Sequence, residues 1–247
     1  MRYLILSDIH ANWEALEAVM AEAESEGFDD ILCLGDVVGY GADPDICCEW
    51  VRNNSSQVVR GNHDRAAVGQ LDLEWFNPAA QDSTLWTQKR LAANNASWLG
   101  NLPAGPIAFE GFQIVHGSPG GEDDYIIYAH EALALVGSLA ERVTFFGHTH
   151  IQGGFQLIRN NARILKTSMS LLGRVECDLE PDSYYLVNPG AVGQPRDHDP
   201  RAAWAIYHSG ERRVVYYRTP YDVQTAQAKI IAAGLPDSLA LRLAIGK

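Results

Sequence analysis

Five short, mostly apolar runs in this chain each stop at a carboxylate, an amide or an imidazole. Tyr3–Leu6 leads into Ser7-Asp8-Ile9-His10, and Asp30–Leu34 into Gly35-Asp36. Gln57–Arg60 leads into Gly61-Asn62-His63-Asp64, Phe112–Val115 into His116-Gly117, and Val143–Phe146 into Gly147-His148-Thr149-His150. Runs of this length, closed by Gly or Asp, predict strands buried in a sheet. Open α/β sheets gather their ligands at the carboxyl ends of such strands. The expectation is one site assembled from several strand ends.

Between and after these runs the pattern changes period. Asn12 is placed to cap a helix over Trp13–Glu26, closed by Gly27, with Leu16, Val19, Met20 and Ala23 as its apolar stripe. Asp43-Pro44 opens a second helix to about Arg52. From Asp64 to Pro103 the reading is helical: one helix from Asn77-Pro78 to about Asn94 and a shorter one ending at Gly100. A further helix is expected over Glu131–Glu141. After Gly153 the pattern is antiparallel β. A hairpin of Phe155–Ile158 and Arg163–Lys166 turns at Asn160-Asn161, and strands follow at Tyr184–Val187, Ala203–Tyr207 and Arg213–Tyr217. Helices Val223–Gly234 and Asp237–Leu243 form the tail, expected to cover the fold's own core in preference to a dimer contact. The expected organisation is a single domain over 1–247, with a helical insertion near 66–103 and a helical tail near 223–247.

Composition narrows the partners. The formal charge is −12 over 247 residues, and no basic stripe offsets it. Such a field repels nucleic acid and anionic lipid, so an anionic substrate needs a local positive centre. No stretch approaches the ~18 apolar residues of a membrane span. Cys33, Cys47, Cys48 and Cys177 lack the spacing of a thiolate metal site and read as small packed side chains in a reducing, cytoplasmic setting.

The chemistry sits in the motifs. Asp8-x-His10 puts two donors on one turn, and Asp36 is a carboxylate free to bridge two ions. Asn62 offers a neutral amide oxygen, and His148 and His150 flank Thr149 in extended geometry. Mixed nitrogen and oxygen donors suit two divalent transition-metal ions, manganese foremost, with iron, nickel or zinc as alternatives. Two ions roughly 3.5–4 Å apart can clamp the attacking and leaving oxygens of an in-line displacement. That is phosphoester hydrolysis.

Taken together, Asp8-x-His10, Gly35-Asp36, Gly61-Asn62-His63-Asp64, His116-Gly117 and Gly147-His148-x-His150 resemble the full motif series of the calcineurin-like metallophosphoesterases. The resemblance implies a four-layer α/β/β/α sandwich, an α/β fold of two mixed sheets flanked by helices. It implies one ion on Asp8, His10, Asp36 and His150 and a second on Asp36, Asn62, His116 and His148. It implies in-line attack by metal-bound hydroxide, with His63 as general acid to the leaving oxygen. Asp64 then either orients His63 or caps its own turn. Protein-serine/threonine phosphatases of this superfamily carry Gly-Asp-x-x-Asp-Arg-Gly at the second motif. Here Gly35-Asp36-Val37-Val38-Gly39-Tyr40-Gly41 replaces both the Asp and the Arg, which disfavours that activity. The loop Asn188–Asp197 is similar to a signature of the small prokaryotic branch.

Arg196 is the candidate substrate grip, set against a structural role bracing Asp197 or Asp199; Asn62 is a candidate substrate contact as well as a ligand. Tyr40 and Asn12 read as a packed aromatic and a helix cap, and His130, His198 and His208 as ordinary surface or packing residues. The expected substrate is a small phosphorylated molecule, nucleotides included, cleaved as a monoester or diester. The alternatives are a non-catalytic metal-binding interaction scaffold on the same fold and, disfavoured by charge, a nuclease. Oligomeric state is left open.

Overall fold

The computed structural model describes residues 1–165 and 173–247. Its strands are β1 (Arg2–Leu6), β2 (Asp30–Cys33), β3 (Gln57–Val58), β4 (Ile107–Phe109), β5 (Phe112–Ile114) and β6 (Val143–Phe145). They continue with β7 (Gly153–Ile158), β8 (Asn161–Ile164), β9 (Arg174–Asp178), β10 (Tyr184–Asn188), β11 (Ala202–His208) and β12 (Arg213–Thr219). Among the described residues these form two mixed six-stranded sheets, ordered β3-β2-β1-β11-β12-β9 and β4-β5-β6-β10-β7-β8. The helices are α1 (Trp13–Glu26), α2 (Pro44–Asn54), α3 (Asn62–Ala67), α4 (Pro78–Arg90), α5 (Ala93–Gly100), α6 (Ala129–Ala134), α7 (Val223–Ala232) and α8 (Asp237–Leu243).

Side-chain alternation decides the layering, because successive residues of a strand face opposite sides. On β1, Leu4 and Leu6 face a core shared with Leu16, Val19 and Ala23 of α1, while Tyr3 and Ile5 face the second sheet. Trp204 and Ile206 of β11 follow the first set, and Ala205 and Tyr207 the second. The second sheet repeats the scheme. Phe112, Ile114, Val143 and Phe145 point between the sheets, and Phe155, Leu157 and Leu186 point outward to Ala132 of α6. In the central strands both faces of each sheet are therefore buried, which gives the α/β/β/α sandwich.

The parallel segments aim the chemistry. β1, β2 and β3 run parallel in one sheet, and β5, β6 and β10 in the other. The motif residues follow the carboxyl ends of these strands. α7 and α8 bury Ala226, Ile230, Leu239 and Leu243 with Tyr40 and Ala80, so the tail covers the fold's own core.

Several sequence expectations shift. The helix drawn to Asn94 ends at Arg90, and α5 begins anew at Ala93. The cause is tertiary: Asp45 of α2 accepts from Ala92 N at 2.9 Å and from Asn95 Nδ2 at 2.7 Å, fixing a new helix start. The helix expected over Glu131–Glu141 is only Ala129–Ala134, followed by a single 3₁₀ turn, Val136–Ser138, that contains the poor helix former Gly137. The hairpin turns at Arg159-Asn160, one residue earlier than expected, with Arg159 at φ 54°. Lys166, the expected end of its second strand, lies outside the described residues. β4 and β9 have no counterpart in the sequence reading. Both are short edge strands whose stability comes from pairing with β5 and β12.

Phe112 keys the two sheets together. It is 1% exposed, and its ring lies 5.0 Å from Tyr3, 5.3 Å from Tyr207 and 5.9 Å from Phe145. Phe112→Ala is expected to cost about 3–5 kcal/mol, read from denaturant midpoints, because it empties a site walled from both sheets. A loss below about 1 kcal/mol would show that the inter-sheet contact is not what holds the layers.

Candidate metal centre

Five of the motif side chains are placed by strained turns just past their strands. Asp8, His10, Asp36, His148 and His150 all adopt left-handed backbone angles, φ 50–63°. Such angles are uncommon for residues with a Cβ and cluster where structure holds a functional group in place. Glycines permit the close packing this requires. A Cβ on Gly61 would come within 2.0 Å of Asp36 Oδ1, so no other residue fits under that carboxylate.

The donors converge in two groups that share one carboxylate. Asp8, His10, Asp36 and His150 present atoms all within 4.8 Å of one another, and Asp36, His116 and His148 form a second such group. Asp36 Oδ2 lies 3.6 Å from His10 Nε2 and 3.5 Å from His116 Nε2, between the two sets. Asn62 Oδ1 joins the second set, 3.3 Å from His116 Nε2. The structure thus brings together all seven residues expected to bind metal.

Hydrogen bonding fixes which ring nitrogen faces inward. His10 Nδ1 donates to Val38 O at 3.0 Å, His116 Nδ1 to Leu34 O at 2.7 Å, and His150 Nδ1 to Gln194 O at 2.6 Å. His148 donates the other way round, Nε2 to Asp123 O at 3.2 Å. A neutral imidazole that donates at one nitrogen carries a lone pair at the other. With all four rings neutral, lone pairs face each other at 3.1 Å between His10 Nε2 and His150 Nε2, and at 3.2 Å between His116 Nε2 and His148 Nδ1. Asp8 Oδ1 and Asp36 Oδ2 are buried without a hydrogen-bond donor. Facing lone pairs and orphaned carboxylate oxygens repel unless a cation stands among them, so the donor set fits divalent metal. This second contact on each ring is the usual way a ligating histidine is oriented.

Electrostatics agrees. Burial pushes Asp36 up, yet the imidazoles of His116, His63 and His10 hold it well below the usual carboxylate range. Burial lowers His116, but the Asp36 charge overrides it and raises the ring to about 10, so proton and metal compete for its Nε2; burial and His116 push His148 down to about 3. The carboxylates keep their charge and draw positive charge to the centre.

Comparison with known proteins carries the same message. The Calcineurin-like phosphoesterase superfamily domain matches residues 1–211. The chain belongs to the calcineurin-like phosphoesterase superfamily. It is 34% identical to an uncharacterized protein of Methanocaldococcus jannaschii over 98% of this chain and 97% of that one. The crystal structure of a metallophosphoesterase from Sphaerobacter thermophilus superposes with a TM-score of 0.86 at 39% identity, covering 100% of this chain and 99% of that one. A hypothetical protein from Pyrococcus horikoshii OT3 shares the fold, with a TM-score of 0.77 at 19% identity over 100% and 98% of the two chains.

Around this metallophosphoesterase centre the remaining expected residues separate. The Asp64 carboxylate accepts from the backbone N–H of Asp36, Val37, Val38 and Gly61 at 2.8–3.2 Å. It clamps the turn that carries Asp36, and these bonds aim it at backbone, away from the His63 ring. Of the two uses expected of Asp64, the structure shows the capping one. His63 is instead held by ring packing, 4.4 Å from Tyr40, 4.9 Å from Phe76 and 5.0 Å from His10. Its Nδ1 is buried without a partner against Gly39, where a Cβ would come within 2.6 Å. Asp197 and Asp199 pair with Arg218 and Arg201, so neither braces Arg196. Arg196 leans on Gln194 Oε1 at 2.9 Å and Tyr40 OH at 3.3 Å and lines a cavity of about 270 Å³ with Asp36, His63, His148 and His150.

Asn12 caps α1 through Ala15 N and ties Gly193 O at 2.8 Å. The Asn188–Asp197 loop closes the site by backbone bonds from Val192 N to Ser7 O and from Arg196 N to His150 O. Sequence reasoning missed Tyr125, stacked on His148 at 4.0 Å, and the carbonyls of Asp123 and Gln194 that orient two of the histidines. Backbone acceptors leave no trace in residue identity, and Tyr125 sits in a loop with no periodic signal.

Asp64→Asn keeps the shape of the clamp but turns an NH₂ toward N–H donors. It is expected to weaken metal binding about 10–100-fold in calorimetric titration, as loss of an outer partner does elsewhere. Unchanged affinity would show that the Asp36 turn is set without Asp64.

Proposed function

We propose that the protein is a dinuclear-metal phosphoesterase that hydrolyses a small phosphorylated molecule. The observation that carries this reading is the shared Asp36 carboxylate between two converging donor sets at the floor of a cavity. Asp8, His10, Asp36 and His150 would hold one ion, and Asp36, Asn62, His116 and His148 the other, with manganese the first choice. Divalent ions held there would polarise phosphoryl oxygens and lower the pKa of a coordinated water toward neutrality.

The chain's own groups do the rest. Arg196 reaches the phosphoryl oxygens with a guanidinium that bears no carboxylate partner of its own at Asp197 or Asp199. His63 passes a proton to the leaving oxygen. Its Nδ1 is sealed against Gly39, which leaves Nε2 for the cavity. Burial lowers this imidazole to about 4 despite Asp36, so the ring is neutral until an anion arrives beside it. A docked phosphate supplies that charge, and the proton is taken up with the substrate. The left-handed turns and the Asp64 clamp hold these groups before substrate binds, so little reorganisation is left for the reaction.

The cytoplasm is the proposed compartment, consistent with free Cys33, Cys47 and Cys48 buried in the core. Among the described residues no helix is long and apolar enough to cross a membrane.

The test is turnover of para-nitrophenyl phosphate and its bis-ester by Mn²⁺-reconstituted protein against the same protein in EDTA. Activity is expected only with metal, and the preferred ester assigns the class. His63→Ala is expected to lose about 10²–10⁴-fold in kcat while still binding metal. Full metal loading with no turnover of either ester would favour the metal-binding scaffold instead.

A further inference from the structure

The cavity above the metal centre has walls that phosphate chemistry does not require. Four aromatic rings line it among the described residues, those of Tyr40, Trp75, Phe76 and Tyr125. Tyr40 and Phe76 are used in packing His63. Trp75 and Tyr125 are not used in this way. Trp75 is 90% exposed, an unusual position for the largest apolar side chain. It also stands on a built turn. The 3₁₀ turn Leu73–Trp75 is capped by Asp72 Oδ1 on Glu74 N at 3.0 Å. Gln81 Nε2 of α4 donates to Leu73 O at 3.0 Å and to Phe76 O at 2.8 Å, gripping the turn on both sides of the indole.

Tyr125, 48% exposed, is fixed equally well. Its ring stacks on His148, and its loop is anchored by Arg65 Nη1 on Asp123 at 2.9 Å and Ser118 Oγ on Asp124 Oδ2 at 2.8 Å. The exposed indole of Trp75, on its anchored turn, and the open face of Tyr125, backed by His148, are thus both presented at the cavity. Rigid aromatic faces cost little entropy when a flat ring lies against them.

Charge limits what else the ligand can carry. Arg196 is the one guanidinium lining the cavity among the described residues, and Asp72 and Asp123 line it as well. Outside the metal centre no second cation lines the cavity among the described residues; Arg65 stands beside it but is paired with Asp123, and the Asp72 carboxylate repels a further phosphate. Asp72 suits a donor such as a ring amine or a sugar hydroxyl.

Resting on the phosphoesterase reading, we infer that the substrate is an ester of a single phosphorus centre whose organic half carries a flat aromatic ring, seated against Trp75 and Tyr125. A nucleoside monophosphate ester has this chemistry. Nucleoside di- and triphosphates and aliphatic phosphates do not.

Phenylphosphonate and methylphosphonate share one phosphoryl head and resist hydrolysis, so titrating each into Mn²⁺-loaded full-length protein isolates the ring. Phenylphosphonate is expected to bind about tenfold more tightly, the usual scale for one aromatic stack. Trp75→Ala and Tyr125→Ala should each shrink that ratio severalfold, and Tyr125→Phe should keep it; Mn²⁺ binding by each variant confirms that it is folded. Equal affinities in the wild type, or a ratio that survives both alanine variants, would overturn the inference while leaving the phosphoryl site intact. Failure of both phosphonates to bind would remove the phosphoesterase reading, and the aromatic seat with it.

Discussion

Everything in this molecule is arranged around the Asp36 carboxylate, which is buried, charged and shared. An isolated carboxylate in a protein interior is unstable unless it is paired or binds metal. Here Oδ1 is satisfied by His63 N at 2.8 Å, and Oδ2 is left facing His10 and His116. The two sheets of the sandwich meet at this atom. One contributes Asp8, His10 and Asn62 past its strand ends; the other contributes His116, His148 and His150. Neither sheet alone carries a complete donor set, so the inter-sheet core around Phe112 and Tyr207 aligns the chemistry as well as the layers.

The strain in the turns follows from the same demand. A flat strand puts donors at i and i+2 on one face but roughly 6–7 Å apart, too far to meet at one ion. Left-handed residues at Asp8, His10, His148 and His150 bend the backbone and draw each pair of donors together, so His148 and His150 do not flank Thr149 in the extended geometry expected of them. The Asn188–Asp197 loop holds these turns by backbone hydrogen bonds, Asn188 Nδ2 bonds Gly147 O at 2.9 Å and Thr149 Oγ1 at 3.0 Å, and Asp64 holds the turn of Asp36. The energy for such backbone angles comes from the surrounding sheets, which overdetermine them.

Much of this was legible in residue order. The polar residues after β1, β2, β3, β5 and β6 stood out because apolar runs ended abruptly at them, and the layer order came from the resemblance that those residues carry. What stayed hidden depended on contacts distant in sequence. Asp45 ends α4 and starts α5 from another helix, and β4 and β9 exist only through their partners. The function of Asp64 is carried by backbone N–H groups, which every residue type but proline offers. The exposure of Trp75 and Tyr125 was hidden for a different reason. An aromatic residue near turn signals reads as packing until its surroundings show a ring face left open, as at Trp75 and on the side of Tyr125 turned away from His148.

Electron paramagnetic resonance on the protein loaded with Mn²⁺ tests the shared carboxylate most directly, together with metal content per chain. Two ions bridged by Asp36 are magnetically coupled, so the account predicts two Mn²⁺ per chain and an exchange-coupled spectrum. One Mn²⁺ per chain, or two that give the spectrum of isolated ions, would contradict it.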